Sequence, residues 1–581
     1  MINVNVAQSD RCNGTYSAYL SFPYDESIIS VVRGLSDRAW HSETKTWEIP
    51  YASLADVLIQ FVDHDIQLQG DIYSAEHEHD EREVDLTFNF KTTPYSYQLD
   101  GFKYGLTHNN WLLGDEQGLG KTKQVIDIAC AKKEREGYQH VLIICGVNGL
   151  KWNWLNEIHT HSNEDGYIIG QKVRKNGKLY VGSNEDKLAC LNDIDSLPYF
   201  IITNVESLRY GVKTGNMIKK RVKGVIRDIP EVVYPITDKL VELCNEGKIN
   251  LIAFDEMHKC KNTQSQQGEQ TLRLNAQNNI AMTGTPLMNK PMDLYAILKW
   301  LGYEKHSLYQ FTQYYCVYGG FEGHEVVGYK HLDELEAHLN SVMLRRRKED
   351  VLDLPEKTFV DEYVEMTPKQ TRLYNEVLNA LRMDIDKIKL SHNPLTQIIR
   401  LRQVTGYTGI VSSEVRESAK LDRLCELAED IVANGKKFVV FSNWTQMTDV
   451  IRERLSIYRP AVVTGETKDE DRSVAMNMFQ NDVTCKCIIG TVGALGTGFT
   501  LTAGTNVIFV DEPWTQAMKD QAIDRCHRIG TTENVTVYTL LTKDTIDERV
   551  NDIVKQKGML ADTIVDGKPV DTDALIDYLL S

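Results

Sequence analysis

Residues 115–122 read Asp115-Glu116-Gln117-Gly118-Leu119-Gly120-Lys121-Thr122, and no other stretch constrains the fold of this 581-residue chain as strongly. An apolar run precedes them and a helical pattern begins at Lys123. This order predicts a glycine-rich turn between a strand and a helix, with backbone N–H groups and the positive end of the helix dipole directed at one spot. Lys121 is placed to reach the β- and γ-phosphates of a nucleotide, and the Thr122 hydroxyl to hold Mg²⁺.

The loop departs from the strict phosphate-loop pattern at one position. Asp115 stands where that pattern has its first glycine, while Gly118 and Gly120 remain as candidate nucleotide-binding residues. An ordinary glycine loop has a similar composition. The nucleotide interpretation therefore depends on partner residues elsewhere in the chain.

A pair of acids provides the first partner. Asp255 and Glu256 follow the apolar run 251–254, which reads as a buried parallel strand. Ligand sites in open α/β sheets lie at the carboxyl ends of such strands. We expect Asp255 to hold Mg²⁺ and Glu256 to orient and deprotonate an attacking water, with two solvated acids at a strand end as the alternative.

An arginine-rich segment provides the second partner. Gln521, Arg525 and Arg528 fall at i, i+4 and i+7 of a helical pattern, which predicts that they share one helix face. Two arginines there could neutralise charge that develops on a γ-phosphate, and a surface helix with salt bridges is the alternative. Because they lie so far after Lys121 in the chain, this role requires a second domain folded against the first.

Strand and helix patterns alternate twice along the chain, which predicts an α/β fold with two tandem parallel-sheet lobes, helical insertions and a cleft between the lobes. A small α/β domain precedes them. The predicted segments are a domain at 1–75, an acidic linker at 76–90, a first, nucleotide-binding lobe at 91–300, a helical connecting region at 301–415, a second lobe at 416–560 and a tail at 561–581.

The ordered motifs of residues 90–548 resemble those of superfamily-two helicase motors of the Swi/Snf type. The similar segments are 94–98, 115–122, 150–154, 202–206, 255–258, 282–287, 343–348, 439–442, 491–502 and 511–514. This resemblance implies two RecA-like lobes and DNA-dependent hydrolysis of ATP with Mg²⁺. It also implies translocation on double-stranded or branched DNA with little dependence on base sequence.

The resemblance also assigns individual positions. Gln98 is expected to contact the adenine. Contacts with DNA are expected at Thr203, Thr283, Thr285, Thr491, Gly496, Thr500 and Trp514. A basic run between the Thr203 motif and the Asp255 box adds Lys219, Lys220 and Arg221 as candidate phosphate contacts, with a solvated surface as the alternative. Thr531 stands where the family usually has glutamine, and 511–514 departs from the usual Asp-x-Asp-Trp.

The first segment carries a separate resemblance. Phe22-Pro23-Tyr24, Trp40 and 46–50 are similar to the HARP domain of annealing helicases. In that branch the domain binds DNA and directs the motor to branched substrates, which we expect here as well. The alternative is a small α/β domain whose tryptophans belong to its core.

Composition limits the remaining possibilities. The chain has 42% hydrophobic and 25% charged residues, which is typical of a globular protein, and contains no apolar run long enough to span a membrane. We expect a cytoplasmic protein with eleven reduced cysteines, associated with the nucleoid in a bacterium or an infected host, or nuclear in a eukaryote. The net charge of −17 does not exclude DNA binding, because that depends on local potential.

Three other functions fit the same motifs. The chain could separate strands or remodel forks, it could be an ATP-switched DNA clamp that does not move, or it could be the motor subunit of a restriction or defence assembly. The protein partners, the oligomeric state and the preferred DNA structure do not follow from the sequence.

Overall fold

The chain folds into two units, Met1–Phe88 and Asn89–Ser581. The computed structural model describes residues 2–9, 16–35, 38–59, 61, 66–70, 87–175, 177, 179–222, 225–284, 291–319, 325–385, 395–496, 500–561 and 578–580. Most of the predicted linker 76–90 and of the predicted tail 561–581 lies outside these residues.

The first unit contains a five-stranded mixed sheet. Its elements are β1 (Ile2–Gln8), β2 (Tyr16–Ser21), α1 (Glu26–Gly34), β3 (Ala39–His41), β4 (Thr46–Pro50), α2 (Leu54–Ile59) and β5 (Ile66–Gly70). The strand order is β3-β4-β2-β1-β5, and only the pairing of β1 with β5 is parallel among these described strands. Val4 and Val6 are buried while Asn3 and Asn5 are exposed, which is the period-two pattern of a half-buried strand.

Two tryptophans lie on the neighbouring strands β3 and β4 of this sheet. The Trp40 side chain is 50% exposed, and its ring centroid lies 5.1 Å from that of Trp47. Trp40 is therefore a surface residue and does not belong to the core of this unit.

The first lobe of the second unit is a parallel sheet covered by helices. Its strands, with three small hairpins, are β6 (Asn110–Leu113), β7 (His140–Cys145), β8 (Gly166–Ile168), β9 (Gln171–Val173), β10 (Leu179–Val181), β11 (Phe200–Asn204), β12 (Val212–Val222), β13 (Val225–Val233), β14 (Ile249–Asp255), β15 (Asn278–Met282), β16 (Cys316–Gly319), β17 (Glu325–Tyr329) and β18 (Met343–Leu344). Its helices are α3 (Ser96–Thr107), α4 (Lys121–Glu136), α5 (Leu150–His161), α6 (Asn184–Asn192), α7 (Val205–Leu208), α8 (Pro235–Asn245), α9 (Gln266–Thr271), α10 (Met292–Trp300), α11 (Leu308–Tyr315) and α12 (Leu332–Val342).

The strand order of this sheet brings the predicted motifs to one edge. The order is β18-β6-β15-β14-β7-β11-β8, and all neighbouring strands are parallel. Strands β7 and β11 are buried along their whole length, as expected for a sheet with both faces covered. Because parallel strands share their carboxyl edge, the loop after β6 and the acids at the end of β14 lie on either side of the end of β15.

The second lobe repeats this architecture. The short helix α13 (Lys348–Val351) lies in the connection between the lobes. The elements of the second lobe are β19 (Lys357–Val364), α14 (Pro368–Met383), α15 (Leu395–Gly406), α16 (Ala419–Ala433), β20 (Lys437–Ser442), α17 (Thr445–Arg454), β21 (Ala461–Val463), α18 (Asp469–Asn481), β22 (Cys487–Thr491), α19 (Val492–Leu495), β23 (Gly504–Phe509), α20 (Gln516–Ile523), β24 (Val535–Thr542) and α21 (Ile546–Ala561). The strand order is β19-β24-β23-β20-β22-β21, again parallel throughout.

The predicted fold class is confirmed: two tandem parallel-sheet lobes follow a small N-terminal α/β domain. The region predicted to connect the lobes, 301–415, contributes β18 to the first sheet and β19 to the second. The basic run near Lys219 lies on the β12–β13 hairpin, whose strands pair with each other outside the main sheet. In the described part of the chain, no helix has the length and apolar character needed to cross a membrane.

A buried ion pair in the second lobe joins α16 to α21 and gives a test of the stability of that lobe. Lys420 Nζ lies 2.7 Å from Asp547 Oδ2, and both side chains are buried. Replacing Asp547 with alanine leaves the ammonium of Lys420 buried without its charge partner, so we expect a loss of about 3–5 kcal/mol in the free energy of unfolding.

Urea unfolding measures this loss. The control is Asp361→Ala, which removes a more exposed ion pair to Lys555 at 2.6 Å and should cost about 1 kcal/mol or less. Equal losses in the two variants would contradict the assignment of Lys420 and Asp547 as a buried pair.

Candidate functional site

The glycine loop (residues 115–122) connects the carboxyl end of β6 to α4. Gly118 and Gly120 have φ angles of +92° and +75°, in the left-handed region that favours glycine. Gly120 immediately precedes α4, so the loop turns directly into a helix N-terminus. Lys121 Nζ donates to the carbonyl oxygen of Asp115 at 2.7 Å, and burial lowers the pKa of this lysine. The lysine therefore folds back over the loop.

Gln98 lies against the same loop. Its Nε2 donates to the carbonyl oxygen of Leu119 at 3.1 Å, and its Oε1 accepts from the backbone N–H of Tyr95 at 3.0 Å. The Tyr97 hydroxyl donates to the same Leu119 oxygen at 3.1 Å. These bonds fix the start of α3 to the glycine loop, and the contact of Gln98 with adenine stays a prediction.

Asp115, the departure from the strict pattern, is fully buried and clamped by an arginine. Arg346 Nε donates to Asp115 Oδ1 at 2.9 Å, and Arg346 Nη2 donates to Asp115 Oδ2 at 2.5 Å. Gln124 Nε2 adds a bond to Oδ2 at 2.9 Å. A two-pronged arginine–carboxylate pair is among the strongest polar contacts in proteins. The missing glycine is therefore replaced by a carboxylate that anchors the loop.

The two acids Asp255 and Glu256 differ in their surroundings. Trp154 Nε1 donates to Asp255 Oδ2 at 2.9 Å. Burial, and then the charge of Glu256, raise the pKa of Asp255. Burial opposes ionisation of Glu256 as well, but contact with His258 and the charge of Lys121 lower its pKa overall. Glu256 is the acid that stays ionised most readily.

The backbone and one oxygen of Glu256 are unusual. Its φ of +54° lies in the left-handed region, which is rare for residues other than glycine and clusters at functional sites. Glu256 Oε2 is buried and lies 3.1 Å from His258 Nδ1, without the alignment of a hydrogen bond. A buried, ionised carboxylate oxygen of this kind fits a water molecule.

The arginine segment does not have the predicted helical form. The prediction that Gln521, Arg525 and Arg528 share one helix face is wrong, because α20 ends at Ile523 and both arginines lie in the turn that follows. Gln521 is half-buried on α20 itself. The i, i+4, i+7 spacing gave a wrong prediction because α20 ends just before Arg525 and Arg528.

Arg525 nevertheless faces the first lobe. Its Nη2 donates to Gln117 Oε1 of the glycine loop at 3.0 Å, and its Nε donates to the carbonyl oxygen of Gly496 at 3.0 Å. Burial, and then the charge of Arg528, lower the pKa of Arg525 to about 10. Asp255 and Glu256 act on the same guanidinium through space. The structure thus brings Arg525 to the glycine loop and the two acids.

Arg528 also packs against the glycine loop. A Cβ atom added to Gly118 would lie 3.0 Å from Arg528 Cβ, a tight contact that, with the positive φ of Gly118, favours glycine here. Arg528 Nη1 donates to Thr500 Oγ1 at 3.0 Å, and burial lowers the pKa of its guanidinium. The hydroxyl of Thr500 therefore orients the guanidinium without neutralising it.

The predicted DNA-contacting residues are spread over several surroundings. Thr203 and Thr283 are buried, and Thr283 Oγ1 lies 3.1 Å from His258 Nδ1. Thr491 is half-buried at the end of β22, and Gly496 is buried. The ring of Trp514 lies 4.1 Å from the Arg402 guanidinium and packs in a helical cluster of the second lobe. Lys219 is exposed on β12, whereas Thr285 and the side chains of Lys220 and Arg221 lie outside the described residues.

A cavity of about 280 Å³ lies between the lobes, beside the arginine segment. Trp152, Asn153 and Asn156 of α5 line it from the first lobe. The second lobe contributes Thr500 and part of α18, namely Arg472, Ser473, Met476, Asn477, Gln480 and Asn481. Side-chain amides and an arginine suit contacts with a phosphodiester backbone.

The residues present fit a nucleotide with a divalent cation. Thr122 lies partly exposed in the first turn of α4, and Asp255 is the last residue of β14, which β15 separates from β6. Hydroxyl and carboxylate oxygens are the ligands that Mg²⁺ prefers. Glu256 Oε2 is buried without an aligned hydrogen-bond partner, which also indicates that the pocket accepts a polar ligand.

Sequence reasoning missed three residues of the site. The sequence assigned no partner to Arg346 of segment 343–348, no contact to Gln117 of the glycine loop and no role to Trp154 of segment 150–154. An acid stands at position 115, where the strict pattern has glycine. Because a buried acid requires a cation, this residue indicated that a partner such as Arg346 lies nearby. The sequence carries no comparable signal for Gln117 or Trp154.

Two family models match the chain. A model described as "SNF2-related domain" matches residues 97–408, which is more than half of the chain. A model described as "Helicase conserved C-terminal domain" matches residues 419–530. Both matches lie outside residues 1–75, so the HARP resemblance of that segment stays a proposal.

Relatives match most of the chain at low identity. The "Uncharacterized ATP-dependent helicase" of Mycoplasma pneumoniae is 28% identical, covering 81% of this chain and 42% of that protein. The "TATA-binding protein-associated factor MOT1" of Saccharomyces cerevisiae is 26% identical, covering 85% and 29%. The "SWI/SNF-related matrix-associated actin-dependent regulator of chromatin subfamily A-like protein 1" of Drosophila melanogaster is 25% identical, covering 92% and 65%. The chain spans less than two thirds of the length of each relative.

One solved structure with similarity to the chain is the "Sulfolobus solfataricus SWI2/SNF2 ATPase core in complex with dsDNA". It is 24% identical, with 85% of this chain and 97% of that chain covered and a TM-score of 0.35.

The clamp on Asp115 gives a counterintuitive prediction. Asp115→Gly restores the strict phosphate-loop pattern, yet it removes the carboxylate that holds Arg346 and Gln124. We expect affinity for a fluorescent ATP analogue to fall about tenfold or more, because a largely buried arginine loses its partner and the loop its anchor. Asp165→Gly, at a side chain that is 81% exposed, is the control. Equal or tighter binding by Asp115→Gly would contradict the clamp.

Proposed function

Because the chain belongs to the SNF2-related family, we propose that it is an ATP-driven motor that translocates on double-stranded or branched DNA. The observation that carries this proposal is a site built from both lobes. The glycine loop and Glu256 come from the first lobe, and Arg525 and Arg528 come from the second. In such a site, nucleotide binding and hydrolysis are linked to movement of the lobes.

In the proposed reaction the first lobe binds the triphosphate. Backbone N–H groups of the glycine loop and the ammonium of Lys121 hold phosphate oxygens. Thr122 and Asp255 would hold Mg²⁺, which neutralises phosphate charge when bound. Glu256 orients the attacking water and accepts its proton, which agrees with the ionised oxygen that lacks an aligned partner.

The second lobe supplies the cations that act on the γ-phosphate. Arg525 donates to Gln117 Oε1 of the glycine loop, while Arg528 packs against Gly118 and donates to Thr500 Oγ1 of its own lobe. Both of these acceptors are neutral. The charges of the two arginines therefore remain available for the negative charge that develops during phosphoryl transfer. Gln521, on the helix just before them, remains a candidate member of this set.

We propose that DNA crosses the seam, which is the interface between the two lobes, on the side where the cavity lies. Thr500 lines the cavity and also accepts the hydrogen bond from Arg528, so one residue touches both the proposed DNA path and an arginine of the ATP site. His258 lies between Thr283 and Glu256 in the same way on the first lobe. These contacts support coupling between hydrolysis and DNA grip. The exposed Lys219 on the β12–β13 hairpin supports an additional phosphate contact.

We propose that the first unit helps select branched DNA. The half-exposed Trp40 beside Trp47 and the 86% exposed Tyr24 provide aromatic surface on which unpaired bases could stack. A variant lacking residues 1–85 should keep duplex-stimulated ATPase activity and lose its preference for forked over linear duplex. An unchanged preference would remove this role from the first unit.

Translocation itself is tested by triplex displacement. An ATP-driven translocase removes a triplex-forming third strand from a duplex without releasing single strands from that duplex. We expect this displacement with ATP and none with a non-hydrolysable analogue. ATP hydrolysis without displacement, or tight DNA binding without turnover, would favour the clamp and contradict the motor.

Two substitutions on the first lobe should separate hydrolysis from DNA binding. Lys121→Ala removes the phosphate-binding ammonium, and Glu256→Gln removes the base, so we expect both to abolish DNA-stimulated ATPase activity and to leave duplex affinity unchanged. Steady-state ATPase assays and fluorescence anisotropy measure the two properties. Lys133→Ala, a partly exposed lysine at the end of the same helix, is the control. Normal turnover in either variant would refute the assigned role.

The second lobe is tested through one of its arginines. Arg528→Ala should lower kcat about 10³-fold, because the guanidinium acts on charge that develops in the transition state. Arg452→Ala, which removes a 59% exposed arginine of the same lobe, is the control and should leave kcat unchanged. A near-normal kcat for Arg528→Ala would exclude that residue from catalysis.

A further inference from the structure

A single residue of the interlobe connection, Lys348, contacts both halves of the site. Its side chain is 5% exposed, although it lies in the segment that joins β18 to β19. The backbone N–H of Lys348 donates to Glu116 Oε2 of the glycine loop at 2.7 Å. Its Nζ lies 2.6 Å from Asp524 Oδ1 and donates to the carbonyl oxygen of His527 at 3.1 Å. Asp524 and His527 flank the arginine Arg525.

The packing at Gly118 shows how close this contact is. A Cβ atom added to Gly118 would lie 3.1 Å from Lys348 Cε and 3.5 Å from its Nζ. The lysine stem therefore runs against the backbone of the glycine loop, next to Arg528. Its ammonium is positioned within the nucleotide-binding seam.

Lys348 belongs mechanically to the first lobe. Two residues earlier, Arg346 is fixed to Asp115 through its side chain, and the backbone N–H of Glu116 donates to the carbonyl oxygen of Arg346 at 3.0 Å. Asp524 belongs to the second lobe, directly after α20. Any separation of the lobes at the seam must therefore break the contact between Lys348 and Asp524.

We propose that Lys348 is a positioning residue whose ion pair with Asp524 latches the arginine segment against the glycine loop in the closed state. This inference rests on the proposed function, since it explains how the arginines of that site are held. Asp524 is 7% exposed, so loss of the ammonium leaves a buried acid beside the arginines. Burial lowers the pKa of Lys348, and the neighbouring Asp524 and Glu116 oppose that shift.

Loss of the latch should affect nucleotide binding and the rate of ATP turnover differently. Arg346 still anchors the glycine loop when the Lys348 ammonium is removed, so the first lobe should bind nucleotide almost normally. The arginines lose a fixed position and should reach the phosphate less often. The signature of a positioning role is therefore a fall in kcat with an unchanged affinity for nucleotide.

The test uses the full chain with four variants and a control. Lys348→Met and Asp524→Asn each remove the ion pair, the double variant removes both partners, and Lys348→Arg restores a cation. Arg347→Ala, at a neighbouring side chain that is 64% exposed, is the control. The readouts are kcat with and without duplex DNA, the Kd of a fluorescent ATP analogue, and the thermal unfolding midpoint.

We expect kcat to fall about tenfold or more in Lys348→Met and in Asp524→Asn. The Kd of the analogue should stay within about twofold of the original chain. The double variant should be no more than about twofold worse than either single variant, because both remove the same contact. Lys348→Arg should recover most of the activity, and Arg347→Ala should match the original chain.

Three results would overturn the latch: independent, multiplicative losses in the double variant, parallel losses of kcat and nucleotide affinity, or unchanged kcat in Lys348→Met. If Lys348→Met does not fold, Asp524→Asn and Lys348→Arg carry the same test. Failure of the proposed motor looks different. In that case duplex DNA does not stimulate the original chain, while the effect of Lys348 on basal hydrolysis still tests the latch.

Discussion

The clamp between Asp115 and Arg346 is the interaction on which the rest of the site depends. The two residues are 231 positions apart, yet Arg346 follows β18 directly and β18 pairs with β6, the strand that leads into the glycine loop. Backbone bonds from Gly114 to Leu344 and from Glu116 to Arg346 extend this pairing into the loop. The buried carboxylate of Asp115 thus fixes the glycine loop and the start of the interlobe connection to the same point.

A second constraint comes from the parallel sheets. Strands β6, β15 and β14 are neighbours, so their carboxyl ends deliver the glycine loop, Thr283 and the acids Asp255 and Glu256 to one edge. The second lobe cannot add its arginines through the same sheet. They arrive in a turn after α20, where Asp524 and Arg525 meet Lys348 and Gln117 of the first lobe. Chemistry that needs both lobes therefore depends on side-chain contacts across the seam.

Patterns local in sequence predicted the fold well. The apolar runs before Asp115 and Asp255 identified buried parallel strands, and the glycines after β6 identified a turn into a helix, because each feature is decided within a few residues. The arginine helix was predicted wrongly, since the end of α20 at Ile523 leaves little trace in residue spacing. The contact of Arg346 with Asp115 joins distant segments, so it could be suspected only from an acid in place of a glycine.

The seam also explains why the closed arrangement favours an anion. Arg525 is oriented by Gln117 Oε1 and the carbonyl oxygen of Gly496, and Arg528 by Thr500 Oγ1, all of which are neutral acceptors. The two guanidiniums repel each other, since the charge of Arg528 lowers the pKa of Arg525. The nearby carboxylates of Asp255, Glu256 and Asp524 attract Arg525 through space and offset part of that repulsion. In the proposed reaction a bound triphosphate relieves the remaining repulsion, so we expect closure to be most favourable while the nucleotide is intact and to weaken as the products leave.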